Sequence, residues 1–279
     1  MHDPQVPETL EGWSLLHQMF RIRRTEWNAQ TPQDRATMAQ AAAELLGSMD
    51  RGVEGTTVLC SLLGHKGDLM LIHLRRDFAG LERAQLAVAQ LRLAECVEAV
   101  DSFVSVVELG LYEMTAVIHA RLTEQGLAPG SPEYESAFDT QLEEQRRRVA
   151  GRLFCEVPPA RFVCFYPMNK RRGEQINWYR LPVEERGRLM RDHGKVGRRY
   201  SGRVTQIISG AIGLDDWEWG VDLFADDPVV FKKLIYEMRF DEASALYAEF
   251  GQFYVGVRCA APALAGQLVT SGPAPAASK

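Results

Sequence analysis

Two runs of the element order βαββαβ in tandem, with an ordinary globular composition, predict an α+β fold. It is a duplicated ferredoxin-like (βαββαβ) dimeric α+β barrel. The chain has 279 residues, 46% hydrophobic and 25% charged. That length can bury one large core or two smaller ones. Each half supplies one antiparallel sheet, and the two sheets can join or pack face to face.

The elements follow from local pattern. Residues 12–22 (GWSLLHQMFRI) form a short apolar run suited to a buried strand. Thr31 and Pro32 then offer an N-cap and first-turn proline to a helix over 33–49, where Ala36, Met38, Ala41, Ala42, Leu45 and Leu46 recur at helical spacing. Two β-rich runs, 56–63 and 68–75, flank Gly64-His65-Lys66-Gly67, which reads as a hairpin connection. A helix over 80–96 and a strand over 102–109 complete the first half. Residues 113–158 are polar and predicted to be a helical connector, with Pro129, Gly130 and Pro132 near the middle. Its charge run, Glu143 to Arg148, reads as a solvated helical face. The second half repeats the order: strand 161–165, helix 182–193, strands 204–209 and 218–225, helix 228–238, strand 252–257. The chain therefore divides into an N-terminal half (1–112), the connector (113–158), a C-terminal half (159–259) and a tail (260–279). The tail is rich in Ala, Pro, Gly and Ser and is expected to be disordered.

A formal charge of -5 and a pI near 5.8 speak against a nucleic-acid binder, which needs a basic surface. The local basic runs must serve a smaller anion. Cys60, Cys96, Cys155, Cys164 and Cys259 are odd in number and form no CxxC pair, so reduced thiols are expected. With no leader pattern and no apolar run of about 18 residues, the sequence predicts no membrane span and a cytoplasmic protein.

The chemistry concentrates between Phe165 and Gln206. Pro182, Glu184 and Glu185 open a helix that Gly194 is expected to close, placing His193 at its C-terminal end beside Leu189 and Met190. Such a histidine is either a packed structural or capping residue or an iron ligand. Tyr166 is expected to end a strand that Pro167 stops, with Lys170, Arg171 and Arg172 in the loop beyond. These cations either solubilise the surface or hold carboxylates, lysine as a point charge and arginine as a fork.

The segments YPMNKRR, NWYRLP, RDHGKVGRRY, QIISGAIGLDDWEWGVDLFADD and YEMRFDEASA closely resemble the coproheme decarboxylases. These are peroxide-dependent heme synthases of the chlorite dismutase-like superfamily. The resemblance extends to GHKGDLMLIHLR and SFVSVVELGLY in the first half and thins in the connector. It implies a duplicated ferredoxin-like fold, a homopentamer, and conversion of coproheme (iron-coproporphyrin III, at once substrate and cofactor) to heme b with hydrogen peroxide. His193 matches the proximal iron ligand. Tyr166 matches the tyrosine whose radical attacks a propionate, and Lys170 the lysine that holds or protonates one. Pro167, Met168 and Asn169 complete the cofactor-binding stretch, while Arg152, Arg198 and Ser244 fall at propionate contacts. A ferrochelatase is the implied, transient donor of substrate.

Gln206, at the strand position where chlorite dismutases carry an arginine, matches the distal glutamine of the decarboxylase branch. A neutral amide can hydrogen-bond a peroxide without fixed positive charge. The alternatives are a chlorite-degrading heme enzyme and a non-catalytic heme carrier. Trp178, Trp217 and Trp219 are read as packing residues, and His65 and His73 as structural. Asp215, Asp216, Asp226 and Asp227 lack the spacing of a calcium loop.

Overall fold

The computed structural model describes residues 2–50, 52 and 54–269. In the first half, β1 (Thr9–Ile22), β2 (Gly55–Leu62), β3 (Leu69–Arg75) and β4 (Val97–Gly110) lie side by side in the order β4-β1-β3-β2. The helices α1 (Arg24–Ala29), α2 (Pro32–Ser48) and α3 (Phe78–Ala89) accompany them. In the second half, β5 (Phe162–Lys170), β6 (Thr205–Gly210), β7 (Trp219–Ala225) and β9 (Tyr254–Cys259) repeat the arrangement as β6-β7-β5-β9. Its helices are α6 (Val183–Arg198) and α7 (Val229–Met238).

Antiparallel pairing joins the two sheets at both edges, β4 to β6 through Val106↔Gly210 and β2 to β9 through Leu59↔Cys259. The duplication therefore closes into one eight-stranded barrel with no free edge at either seam. The predicted fold class is the observed one.

Strand alternation fills the interior. Leu15 and Met19 of β1, Phe103 and Val107 of β4, Val163 and Phe165 of β5 and Phe224 of β7 point inward and exclude water. Each such fully buried side chain contributes roughly 1.5–3 kcal/mol. One polar pair shares this interior: His17 Nε2 lies 3.0 Å from the Asp222 carboxylate, and its ring stacks on Phe165 at 3.9 Å.

The connector is helical, as expected, in two pieces: α4 (Tyr112–Glu124) and α5 (Pro132–Leu153). Ser131 caps α5 by accepting from Tyr134 N–H, and Pro132 occupies its first turn. The end of α5 presses so closely on β1 that a Cβ on Gly12 would stand 2.0 Å from the Leu153 carbonyl oxygen.

Four expectations need correction. The helix expected over 80–96 ends at Ala89; Leu91 is extended and a 3-10 turn over Arg92–Cys96 follows, burying Leu93 and Cys96 against α2. Pro167 does not stop its strand. It sits where the neighbour of β5 changes from β9 to the short β8 (Ala248–Phe250), so its missing N–H interrupts no ladder on that side. Gly194 does not close α6 either: Val196 still packs against the sheet, and the chain turns only at Gly202, whose φ of 78° suits glycine. His193 is therefore interior to its helix. Finally, the first part of the expected disordered tail is ordered. Ala261–Ala263 and α9 (Leu264–Val269) bury Leu264 and Leu268, four residues apart, against α2. Residues 270–279 lie outside the described residues. The helix α8 (Glu242–Tyr247) and strand β8 were not predicted. No helix among the described residues is long and apolar enough to cross a membrane.

Candidate functional site

The outer face of the second-half sheet lies beneath α6 and α7. Cys164 and Tyr166 of β5, Val221 and Leu223 of β7, and Leu234 and Met238 of α7 form its apolar walls. Polar groups stand along one border of this layer.

His193 projects from the middle of α6. Its Nδ1 is 3.0 Å from Asp241 Oδ2 and 3.4 Å from Ser244 Oγ. Asp241 caps α8, accepting from the Ser244 N–H at 2.9 Å and from the Ser244 hydroxyl at 3.1 Å. Burial acts to raise the Asp241 pKa, but the His193 and Ser244 hydrogen bonds outweigh it and hold the group below its ordinary value. An ionised carboxylate only accepts, so Nδ1 carries a proton and Nε2 is the ring nitrogen turned away from Asp241. Nε2 has no hydrogen-bond partner among the described residues, and the side chain is 27% exposed. This is the arrangement of an imidazole held ready to ligate.

Lys170 ends β5 on the same face as Tyr166. It is buried, with Nζ 3.4 Å from the Ala243 carbonyl and 4.5 Å above the ring of Trp178. Burial pushes its pKa down to about 8, against the upward pull of Asp241 and Glu218. No carboxylate among the described residues comes within ion-pair distance, so this ammonium can accept an anion.

Tyr166 is buried, its ring stacked on Phe253 at 4.5 Å. Its hydroxyl has no hydrogen-bond partner among the described residues. Burial raises the phenol pKa above its ordinary 10.0. The group is a neutral phenol at working pH, able to give up a hydrogen atom rather than act as a phenolate.

Arg198 ends α6 with its guanidinium folded back towards Gly194, 3.3 Å from where a Cβ would sit. Gln206, on the outer face of β6, faces Gly197 of α6, where a Cβ would lie 3.7 Å from its Nε2. Met168 shares the apolar layer. Pro167 and Asn169 do not: strand alternation turns their side chains to the other face of β5. Pro167 lines a cavity of about 650 Å³ at the barrel mouth with Phe103, Phe165 and Trp217. Asn169 accepts from the Glu218 N–H at 2.8 Å. The YPMNK stretch therefore presents Tyr166, Met168 and Lys170 to one face of β5 and Pro167 and Asn169 to the other. Arg152 lies exposed in the last turn of α5, and no hydrogen bond or ion pair among the described residues ties its guanidinium down.

Sequence reasoning missed Asp241, whose N-cap spacing to Ser244 is a local signal but whose hold on His193 is not. It also missed Arg239, stacked on Phe250 at 3.9 Å beside Tyr166 and without a carboxylate partner among the described residues. Trp178, read as packing, is fully buried and also forms the floor under Lys170.

A fixed imidazole, an apolar layer and cations without carboxylate partners among the described residues, on a duplicated barrel, match a planar, anionic, metal-bearing ligand. The chain belongs to the chlorite dismutase family, whose sequence profile matches residues 35–259. It is 42% identical to a coproheme decarboxylase of Thermus thermophilus, covering 91% of this chain and 93% of that protein. It is 39% identical to one of Staphylococcus saprophyticus, over 91% and 94% of the two chains. A longer protein of Natronomonas pharaonis, provisionally named for heme binding, is 41% identical over 92% of this chain, which spans 40% of that protein. The solved structure of a heme-binding protein from Thermus thermophilus superposes with a TM-score of 0.80 at 40% identity, covering 96% of this chain and 99% of that one. A chlorite dismutase variant from Candidatus Nitrospira defluvii matches with a TM-score of 0.70 at 16% identity, over 92% and 95% of the chains, which is a likeness of fold alone.

Proposed function

We propose that the protein is a coproheme decarboxylase, converting iron-coproporphyrin III to heme b with hydrogen peroxide. The observation that carries this reading beside the family is a set of groups on one face that, among the described residues, lack a charged or hydrogen-bonding partner matched to them. These are His193 Nε2, the Lys170 ammonium, the Tyr166 hydroxyl and the guanidinium groups of Arg198 and Arg239. They fit the substrate's chemistry: one imidazole for the iron, cations for propionates, and a neutral phenol between aromatic walls.

Bound iron porphyrin supplies the reaction of peroxide and the oxidising equivalents. Each propionate anion loses CO2, one proton and two electrons to become a vinyl, and each peroxide takes up those two electrons, that proton and one more proton from solvent to give two waters. Two rounds therefore consume two peroxides and release two CO2. His193 holds the iron, its proton on Nδ1 fixed by Asp241. Tyr166 gives up the hydrogen atom that starts attack on a propionate. Lys170 holds or protonates a propionate, and Arg198, Ser244 and Arg152 contact the others. Met168 packs in the apolar layer beside Tyr166. Pro167 and Asn169 contribute through their main chain. Gln206 offers a neutral amide to peroxide, where a fixed cation would favour chlorite chemistry.

The working assembly is a homopentamer in the cytoplasm, loaded by transient contact with a ferrochelatase. Mass spectrometry of the porphyrin after peroxide addition tests the reading. Two successive losses of the formic-acid equivalent (CO2 plus two hydrogens) are expected. Porphyrin that keeps its mass means a carrier, and oxygen evolution from chlorite means a chlorite-degrading enzyme.

A further inference from the structure

Lys170 is where the proposed substrate contact meets a second, buried charge. The inference below rests on that reading of Lys170. Immediately before β7 lies Glu218, a buried residue tied into the structure on every side. Its Oε2 accepts the Lys170 main-chain N–H at 2.8 Å, and Oε1 stands 3.5 Å from Arg172 Nε. Its own N–H donates to Asn169 Oδ1 at 2.8 Å, and its carbonyl accepts from Ala211 N–H at 2.7 Å. One carboxylate thus ties the end of β5, the start of β7 and the exit from β6. Nothing in the chemistry of decarboxylation calls for an acid at this point, and burying one is costly unless its charge is used.

We propose that Glu218 is a positioning residue: it fixes the Lys170 end of β5 and supplies a counter-charge behind the ammonium that receives a substrate carboxylate. The charged groups around Lys170 are few. Asp241 faces it from the turn before α8, Glu218 from the turn before β7, and both favour its charged form. The Trp178 ring and the Ala243 carbonyl present only π-electrons and a dipole. Tyr112 of α4 packs edge-on against Trp178, and burial holds that phenol neutral. Asp241 is engaged by His193 and the Ser244 N–H and hydroxyl, whereas Glu218 is bound directly to the Lys170 main chain and is shared with Arg172 and the Tyr179 phenol.

The test uses the full chain without porphyrin first. Lysine is labelled at Cε with ¹³C; the chain has six lysines, so each signal can be followed, and Lys170→Arg identifies the one wanted. In the wild type the Lys170 signal is expected to titrate near pH 8. Glu218→Gln keeps an oxygen acceptor for the Lys170 N–H but removes the charge, and is expected to lower that midpoint by about half a pH unit or more. Coproheme affinity should then begin to fall at a correspondingly lower pH, while the absorption of the bound porphyrin at pH 6 stays unchanged. Arg172→Gln removes only an exposed cation and moves the midpoint upward, so it reads the same network if Glu218→Gln does not fold. An unmoved midpoint in these variants overturns the proposal, as does an affinity loss equal at pH 6 and pH 9, which marks a purely structural role. Unchanged coproheme binding in Lys170→Met defeats the reading of Lys170 instead, and the titration still decides the role of Glu218.

Discussion

Replacing Lys170 by methionine should make the protein more stable and worse at holding its substrate. Folding carries the lysine from a solvent pKa of 10.5 to about 8 because burial penalises its charge. At ~1.4 kcal/mol per pH unit that gap costs about 3 kcal/mol at pH 7. The Trp178 face, 4.5 Å from Nζ, returns about 1 kcal/mol. The net penalty is about 2 kcal/mol, and methionine, similar in length and free of charge, removes it. The pH dependence identifies the cause. The folded pKa lies below the unfolded one, so between about 8 and 10.5 the unfolded chain binds the proton and the folded one does not. Wild-type stability therefore rises with pH across that window. The penalty is complete below about pH 8 and more than half gone by about pH 9.5. Urea unfolding of both proteins from pH 6 to 9.5, followed by tryptophan fluorescence, measures this. A destabilised Lys170→Met at pH 7, or a difference flat across the window, refutes the reasoning. The same variant should bind coproheme at least tenfold more weakly at pH 7, since a buried charged contact to carboxylate is worth roughly 1.5–3 kcal/mol.

Tyr166→Phe removes a hydroxyl without a protein partner, so unfolding free energy should change by no more than about 0.5 kcal/mol and coproheme should bind as before. CO2 release on peroxide addition should be lost, and retained turnover would remove Tyr166 from the chemistry. Asp241→Ala frees the His193 ring, and iron-porphyrin affinity should fall roughly 10- to 100-fold, the usual cost of losing an orienting partner; unchanged binding and an unchanged ligation spectrum would show that Ser244 suffices. Gly12→Ala places a methyl 2.0 Å from the Leu153 carbonyl oxygen, forcing α5 off β1 at a cost of about 3 kcal/mol or more, read as a lowered Tm; an unchanged Tm would mean that α5 can shift freely.

The barrel was legible because each half carries strands and helices at their proper periods, and the two halves carry them in the same order. What was misread shares one cause. Pro167 and Gly194 are strong local punctuation, yet both lie inside elements whose tertiary contacts continue past them: β5 hands over from β9 to β8, and α6 keeps packing through Val196. Leu264 and Leu268 were two apolar residues in a stretch dominated by Ala, Pro and Gly, and only α2 gives them a surface. In the site, His193, Tyr166 and Lys170 were found through resemblance, since spacing left each with a structural explanation. Pro167 and Asn169 also came from the resemblance, and only the strand register shows that their side chains lie on the opposite face of β5 from Tyr166 and Lys170. Asp241 lies 48 residues from His193, and the bond between them belongs to the fold alone.

Duplication gave the chain two equivalent sheet faces under paired helices, and polar satisfaction decides which of them is a site. In the first half, Leu59, Leu69 and Leu71 meet Met38, Leu46, Leu264 and Leu268 in a closed apolar layer. Its polar residues bond one another. His73 Nδ1 lies 2.9 Å from Thr57 Oγ1 and its Nε2 3.1 Å from Gln18 Oε1, while burial first, and then Arg75, lowers its pKa to about 3. Arg75 spends its guanidinium on the Thr56 and Leu74 carbonyls and Thr57 Oγ1. The His73 ring and the Arg75 guanidinium thus find their partners within that face. Among the described residues, the second half leaves an imidazole nitrogen and a phenol without a hydrogen-bond partner, and an ammonium and two guanidinium groups without a carboxylate, on the corresponding face, a costly set to maintain unless something fills it. Titration should therefore saturate at one porphyrin per chain. His73→Ala should leave that stoichiometry and the bound spectrum unchanged, whereas His193→Ala should alter the spectrum; a second equivalent lost with His73 would mean that the first-half face opens.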